Sequence, residues 1–215
     1  AEHEGSFLVG LVAGMQSKTN KVGFVGGVNS ELIKKFENGF KAGVLTANPD
    51  AEVLVQYAED FNKAEKGQQI ANTFYQQGAD IIYHAAGGTG MGVFTEAKNR
   101  KKNGENVWVI GVDRDQHQEG MPENVTLTSM IKRVDVAVEK VAKEAKDGKL
   151  KGGKIEAFGL KDDGIGISKT TDNVKKVNPE ILTKVEEFEK KITDGEIKVP
   201  ATDKEYKEYE ASLKK

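Results

Sequence analysis

Apolar runs of strand length alternate with amphipathic stretches of helix length over the first half of the chain, and this alternation restricts the fold more than any other feature. The apolar runs occupy residues 21–26, 52–57, 80–85 and 107–112. Parallel strands need crossover connections of roughly a dozen residues or more, usually helices. The stretches between these runs meet that need, since their apolar residues recur at helical spacing. The sequence therefore predicts an α/β fold with a parallel, doubly wound sheet.

The second half of the chain is less regular. Residues 125–130 predict a short strand that runs directly into a helix at residues 134–147. Further on, residues 155–160 and 164–167 have the composition of a strand pair or an extended crossover. Asn178 and Pro179 then introduce a helix, because proline suits the first turn of a helix.

The two ends of the chain carry opposite patterns. Residues 5–15 predict an apolar helix rich in small residues, which needs a neighbour to cover it. Residues 201–215 are strongly charged and predict a tail that frays or lies on the surface.

Charge and composition exclude several classes of protein. The 32 Lys and Arg residues are balanced by 34 Asp and Glu residues, so the chain lacks the basic footprint of a nucleic-acid-binding protein. Cysteine is absent, which excludes disulfides, thiolate metal sites and cysteine nucleophiles. His3, His84 and His117 show no metal-ligand spacing, and no metal site is predicted. The expected partner is a small molecule or another protein.

A glycine-rich turn lies between the third predicted strand and the next helix. It reads Ala-Gly-Gly-Thr-Gly-Met-Gly from residue 86 to residue 92, and such a turn lets the backbone approach a ligand closely. One alternative is dinucleotide binding, since Gly88 and Gly90 follow a strand and the next strand ends on an acid. Val93 stands where the third glycine of that fingerprint belongs, so an NAD enzyme is the weaker interpretation.

Three further candidates follow strand ends. Asp113 comes directly after a buried strand, and a carboxylate there can accept hydrogen bonds from two vicinal hydroxyls; pairing with Arg114 or capping of the next turn is the structural alternative. Phe61 follows the second strand outside any apolar periodicity, so its ring can stack on a planar heterocycle or pack under its loop. Lys132 follows the strand at 125–130, where it can reach a ligand or remain a solvated charge.

Six blocks of the sequence together resemble the basic membrane protein (BMP) family of lipoproteins, which includes purine nucleoside receptors. The resemblance runs from about residue 4 to about residue 200, and the blocks are GSFLVGLVAGM, KVGFVGG, FENGFKAGV, IIYHAAGGTGMGVFTEAK, WVIGVDRDQ and LTSMIKRVDVAVEKV. It implies a type I periplasmic-binding-protein fold, in which two α/β lobes joined by three crossovers enclose a nucleoside. It also implies an extracytoplasmic substrate-binding subunit of an ABC importer, anchored to the cell membrane by a lipidated N-terminal cysteine.

The resemblance assigns the four candidates to one ligand site. Phe61 matches the aromatic residue that stacks on the purine, and Gly87 matches a backbone contact in the glycine turn. Asp113 matches the carboxylate that binds the ribose hydroxyls, and Lys132 matches a lysine at the hinge between lobes that hydrogen-bonds to the ligand.

The resemblance also implies that most of the N-terminal lobe is absent from this chain. We expect a purine nucleoside (inosine, guanosine or adenosine) and an ABC transporter permease as partners, with no enzymatic activity, no cofactor and a monomeric state. The alternatives are an NAD-dependent oxidoreductase and a cytoplasmic regulatory relative. The predicted division is a remnant helix of the N-terminal lobe at 1–20, the C-terminal α/β lobe at 21–112, a crossover and a helix packing on the N-terminal lobe at 113–153, a return crossover and C-terminal helix at 154–200, and the charged tail at 201–215.

Overall fold

A computed structural model describes residues 1–169 and 173–213 of the chain. Its strands within that part are β1 (Lys21–Gly26), β2 (Glu52–Tyr57), β3 (Ile81–Ala85), β4 (Trp108–Asp113), β5 (Thr126–Lys132) and β6 (Ile165–Ile167). Its helices are α1 (Glu2–Gln16), α2 (Glu31–Ala47), α3 (Ala64–Gln76), α4 (Gly90–Lys102), α5 (Val134–Lys146), α6 (Asn173–Val177), α7 (Glu180–Thr193) and α8 (Asp203–Leu213).

All six strands belong to one sheet, in the order β2-β1-β3-β4-β5-β6. The first five are parallel to one another, and the short edge strand β6 is antiparallel to β5. An antiparallel edge strand on a parallel sheet is common in doubly wound folds. The predicted α/β fold with a parallel sheet is therefore confirmed.

Helices cover both faces of the sheet and divide the core into two clusters. One cluster packs α1, α2 and α7 on one face and includes the fully buried rings of Phe7, Phe24 and Phe40. The other packs α3 and α4 on the opposite face around Phe74 and Phe94. Because both faces are covered, the open edge of the sheet is where the parallel strands end, and ligands of such sheets bind there.

Helix α1 crosses α2 closely enough that glycines face backbone on both helices. A Cβ at Gly10 would lie 2.3 Å from the carbonyl oxygen of Phe40, and a Cβ at Gly43 would lie 2.0 Å from that of Phe7. The apolar helix expected at residues 5–15 thus finds its neighbour inside this lobe. The structure packs α1 into the core described here, and the predicted division of the chain into lobes stays a prediction.

In two places the structure selects one of the expected alternatives: residues 155–160 are not one strand of a pair, and most of the charged tail lies on the surface. Residues 155–160 form no strand, and Ile155 is fully exposed, so β6 pairs with β5 instead. Most of the expected tail forms α8, where the Tyr209 hydroxyl lies 2.7 Å from Thr46 Oγ1 of α2. The sequence did not indicate this helix, because most of its residues are charged and only the tyrosines on one side pack on α2. Residues 214 and 215 of that tail lie outside the described residues.

Among the described residues, no helix is both long and apolar enough to cross a lipid bilayer.

Candidate functional site

The four candidate residues all lie at the edge where the parallel strands end. Phe61 follows β2, Gly87 follows β3, Asp113 ends β4 and Lys132 ends β5. Along the sheet these strands have the order β2-β1-β3-β4-β5. The structure therefore brings the predicted residues to one edge in a continuous row.

The ring of Phe61, which follows β2, lies over the end of the neighbouring strand β1. A Cβ at Gly27, just beyond β1, would lie 2.2 Å from Cε1 of the Phe61 ring, so only glycine leaves room for the ring there. The ring is 40% exposed. An aromatic ring packed on backbone with its remaining surface open to solvent can stack on a planar ligand.

Gly87 lies against the backbone of Phe61. Its φ is +55°, and a Cβ on it would lie 3.2 Å from the Phe61 carbonyl oxygen. Both the left-handed conformation and this close approach favour glycine. The glycine turn and the aromatic loop thus form one continuous surface.

Buried Thr89 ties the aromatic loop to the glycine turn. Its backbone N–H donates to the Phe61 carbonyl (3.0 Å) and its hydroxyl donates to the Asp60 carbonyl (2.8 Å). The same hydroxyl accepts a hydrogen bond from the Lys63 N–H at 2.9 Å. Three bonds from one fully buried residue hold the loop that carries the ring.

Asp113 occupies a tight turn at the end of β4. Its φ is +67°, and the N–H of Arg114 donates to the carbonyl of Val112 at 2.8 Å, across the aspartate. Left-handed backbone is uncommon outside glycine, although Asp and Asn tolerate it better than most residues. The Asp113 side chain is 60% exposed and free to reach a ligand.

Lys132 is the nearest cation to Asp113. Its Nζ lies 4.0 Å from Asp113 Oδ1 and 3.7 Å from Glu2 Oε1. The alternative of an Asp113–Arg114 pair is not seen, because Arg114 pairs with Glu119. Asp115 supports the turn that follows, since its Oδ1 accepts a hydrogen bond from the His117 N–H at 2.9 Å.

A buried pair of side chains supports the Asp113 turn from below. Gln116 Oε1 accepts hydrogen bonds from the Val112 N–H (2.8 Å) and lies 2.9 Å from His84 Nε2. The Gln116 N–H donates to Ser129 Oγ at 3.1 Å. Burial lowers the pKa of His84 to about 4, so its imidazole is neutral at physiological pH.

Sequence reasoning missed Thr89, Gln116 and His84 as supporting residues. Each lies inside or next to a block that carries a predicted site residue. Only their polar character at fully or nearly fully buried positions distinguishes them, because buried polar groups need hydrogen-bond partners. A polar residue at a buried position predicts a hydrogen bond, but it does not predict which residue is the partner.

Among the described residues, no three His, Asp or Glu side chains are grouped so that they could hold a metal ion. Val93 is fully buried in the core of α4, where a dinucleotide fingerprint would need its third glycine. The edge therefore carries groups of the kinds that bind ligands in other proteins, and it lacks the pattern expected of the NAD alternative.

A doubly wound sheet with an aromatic ring, a glycine turn and an acid at its open edge defines a ligand-binding lobe of the periplasmic-binding-protein type. Solved structures with the same fold include a solute-binding protein of an ABC transporter system from Aeropyrum pernix. It superposes with a TM-score of 0.83 at 28% identity, and the match covers 99% of this chain and 69% of that one.

The comparison of sequences identifies the family. A profile of the Bmp family, described as ABC transporter substrate-binding protein PnrA-like, matches residues 1–203. A CD4+ T-cell-stimulating antigen of Listeria monocytogenes is 56% identical over 93% of this chain and 57% of its own length. The ABC transporter nucleoside-binding protein BmpA of Lactococcus lactis is 41% identical over 94% of this chain and 59% of its own length.

The chain belongs to the Bmp family of PnrA-like ABC transporter substrate-binding proteins. The predicted family is thus confirmed, together with the expectation that the family is one of binding proteins and not of enzymes. The chain spans somewhat more than half of the length of the curated relatives named above.

Proposed function

We propose that this chain forms one lobe of a protein that binds purine nucleosides and delivers them to the permease of an ABC importer. The observation that carries the proposal is the placement of two neighbouring pairs, Phe61 with Gly87 and Asp113 with Lys132, along one sheet edge. The name of the Lactococcus lactis relative, a nucleoside-binding protein, supports the same ligand class.

The dimensions of the edge suit a base joined to a sugar. The Phe61 ring lies over Gly27 beyond β1, and Asp113 lies two strands further along the sheet. Strands are spaced roughly 4.8 Å apart, so the end of β1 under the ring and the end of β4 that carries Asp113 are separated by about 10 Å. In this arrangement the ring stacks on the purine, the carboxylate accepts hydrogen bonds from the ribose hydroxyls, and Lys132 donates to the ligand.

A second lobe would close over this site in the whole protein. Helix α5, which follows Lys132 directly, has no buried residue, and its valines at positions 134, 138 and 141 are exposed. A groove of about 330 Å³ runs beside it and is lined by Leu32, Phe158 and Ile165. An apolar helix face next to a half-open ligand site is what the proposed lobe would cover.

The proposal extends to the place where the protein works. Substrate-binding subunits of ABC importers act outside the cytoplasm, and we infer that a lipid anchor upstream of this chain holds the protein at the cell membrane. A cytoplasmic regulatory relative would lack such an anchor. The coding sequence upstream of Ala1, examined for a lipidation signal, separates the two. We expect the protein to be a monomer.

Calorimetry on the protein as encoded by its gene tests the ligand. We expect inosine, guanosine or adenosine to bind, and Asp113→Asn to weaken binding by roughly one hundredfold, because hydrogen bonds to a charged acceptor contribute about 1.5–3 kcal/mol each. Asp50→Asn is the matched control, since Asp50 precedes β2 at the opposite edge of the sheet. Absence of heat with every nucleoside at high micromolar concentration would contradict the proposal.

A further inference from the structure

His84 lies between the two halves of the site and touches both. It belongs to β3, it is fully buried, and its ring packs edge-on against Phe94 of α4 at 5.6 Å between centroids. On one side it meets Gln116, which follows the Asp113 turn. On the other side it meets Gly90, which belongs to the glycine turn and begins α4.

The hydrogen bonds around Gln116 fix which imidazole nitrogen carries the proton. The Val112 N–H can only donate, so the Gln116 atom that faces it is the amide oxygen. The same oxygen faces Nε2 of His84 at 2.9 Å, and Nε2 must therefore be the donor. Neutral His84 is therefore the Nε2–H tautomer. Its Nε2–H donates to Gln116 Oε1, and that oxygen also accepts the hydrogen bond from the N–H of Val112, the residue before Asp113.

The opposite side of the ring shapes the start of α4. A Cβ at Gly90 would lie 2.1 Å from His84 Nδ1, so the helix start packs directly against the imidazole. Nδ1, the unprotonated nitrogen of this tautomer, is buried and has no hydrogen-bond partner among the described residues. Thr89, next to Gly90, holds the Phe61 loop through its three hydrogen bonds.

We propose that His84 is a positioning residue that couples the aromatic half of the nucleoside site to its carboxylate half. The inference deepens the proposed function and rests on it for the identity of the ligand. The imidazole acts as a rigid spacer: its donor side fixes the backbone at Val112, and its bare side fixes the backbone at Gly90. Loss of the spacer loosens the Asp113 turn and the Thr89 clamp together, so the two contacts no longer hold one ligand in register.

Two substitutions separate the coupling from simple filling of the core. His84→Gln keeps an N–H donor at a similar distance from the backbone, whereas His84→Met keeps comparable bulk without the donor. Hydrogen exchange of the ligand-free protein measures both sides of His84: the Val112 amide reports on the Asp113 turn, and the Thr89 amide reports on the Phe61 loop. We expect His84→Met to accelerate exchange about tenfold at both amides and leave α2 unchanged, with His84→Gln close to wild type. Acceleration at only one of the two amides, or equal acceleration throughout the protein, would overturn the coupling.

Nucleoside calorimetry then tests whether the coupling serves the site. We expect His84→Met to weaken binding about tenfold, and to weaken it much less when Asp113→Asn or Phe61→Leu has already removed one half. An undiminished tenfold loss in both backgrounds would overturn the role in binding. If wild type binds no nucleoside but the exchange pattern is as expected, the ligand assignment fails and the structural coupling stands.

Discussion

At the scale of single residues, the site depends on backbone conformations as much as on side-chain chemistry. Asp113 and Gly87 both have positive φ, at +67° and +55°. Strained positions persist where the surroundings hold them, and they concentrate at ligand sites. Here the Gln116 amide holds the residue before Asp113, while Thr89 holds the loop beside Gly87. In the proposed function these groups are placed before the ligand arrives, which lowers the entropy lost on binding.

Gly27→Ala tests whether the position of the Phe61 ring over Gly27 matters for binding. The new Cβ would lie 2.2 Å from Cε1, so the ring must move away from the sheet edge. Base stacking contributes about 1–3 kcal/mol, and we expect nucleoside affinity in calorimetry to fall by tenfold or more. Gly152→Ala is the control, because a Cβ there meets nothing within 4 Å. Unchanged affinity in Gly27→Ala would show that the ring position does not matter for binding.

His84 predicts a specific dependence of stability on pH. Burial lowers its pKa from about 6.5 in the unfolded chain to about 4 in the folded protein. Between these values the unfolded state binds more protons, so this contribution to stability is present above the unfolded pKa and is lost as the pH falls towards 4. From about pH 7.5 to about pH 5 we expect the free energy of unfolding to drop by about 2 kcal/mol more in wild type than in His84→Gln. Urea unfolding of both proteins at the two pH values measures the difference, and equal drops would contradict the assignment.

At the scale of elements, prediction from sequence succeeded where local pattern and tertiary role agree. The runs that form β1, β3 and β4 were predictable because strands buried on both faces are continuously apolar. The edge strand β2 has no buried residue, and it was recognised by its place in the alternation of strands and helices. The placement of Phe61, Gly87, Asp113 and Lys132 at one edge was predictable because parallel strands end there, and their role in binding stays a prediction.

Prediction failed where a distant partner decides the structure. Helix α8 packs through Tyr206 and Tyr209 on a helix more than a hundred and fifty residues earlier in the chain, which no local charge pattern reveals. The hydroxyl of Thr89 bonds to Asp60, 29 residues away, and His84 bonds to Gln116, 32 residues away. The partners of side chains that join two elements depend on how those elements pack. A single sequence does not show which elements pack together.

Thr89 allows a test of the clamp between the aromatic loop and the glycine turn. Thr89→Val keeps the shape but leaves the Asp60 carbonyl and the Lys63 N–H without their partner. We expect it to lower the free energy of unfolding by about 2 kcal/mol and to weaken nucleoside binding, since the Phe61 loop is released. Thr89→Ser, which keeps the hydroxyl, should retain most of the affinity. If serine and valine weaken binding equally in calorimetry, the hydroxyl is not what holds the loop.

At the scale of the whole molecule, an uneven surface is the main unexplained feature of the described residues. Both sheet faces are covered, yet α5 packs none of its residues into the core. Ile155 and Val138 are exposed on this side of the lobe, at 101% and 62%. The relatives named above are substantially longer than this chain. A second lobe that covers α5 and closes on the ligand site would account for both observations.

Val138→Lys tests that arrangement through two opposite outcomes. In the 215-residue chain alone, residue 138 is exposed and the substitution should change the free energy of unfolding by less than about 0.5 kcal/mol. In the protein as encoded, a second lobe would bury the new charge, and we expect a loss of about 2 kcal/mol or more together with weaker nucleoside binding. Glu139→Lys is the control, because Glu139 lies on the charged side of α5, where its side chain is 65% exposed. Equal, small effects of Val138→Lys in both proteins would mean that the apolar face of α5 stays open to solvent in the whole molecule, and that closure over the site must come from elsewhere.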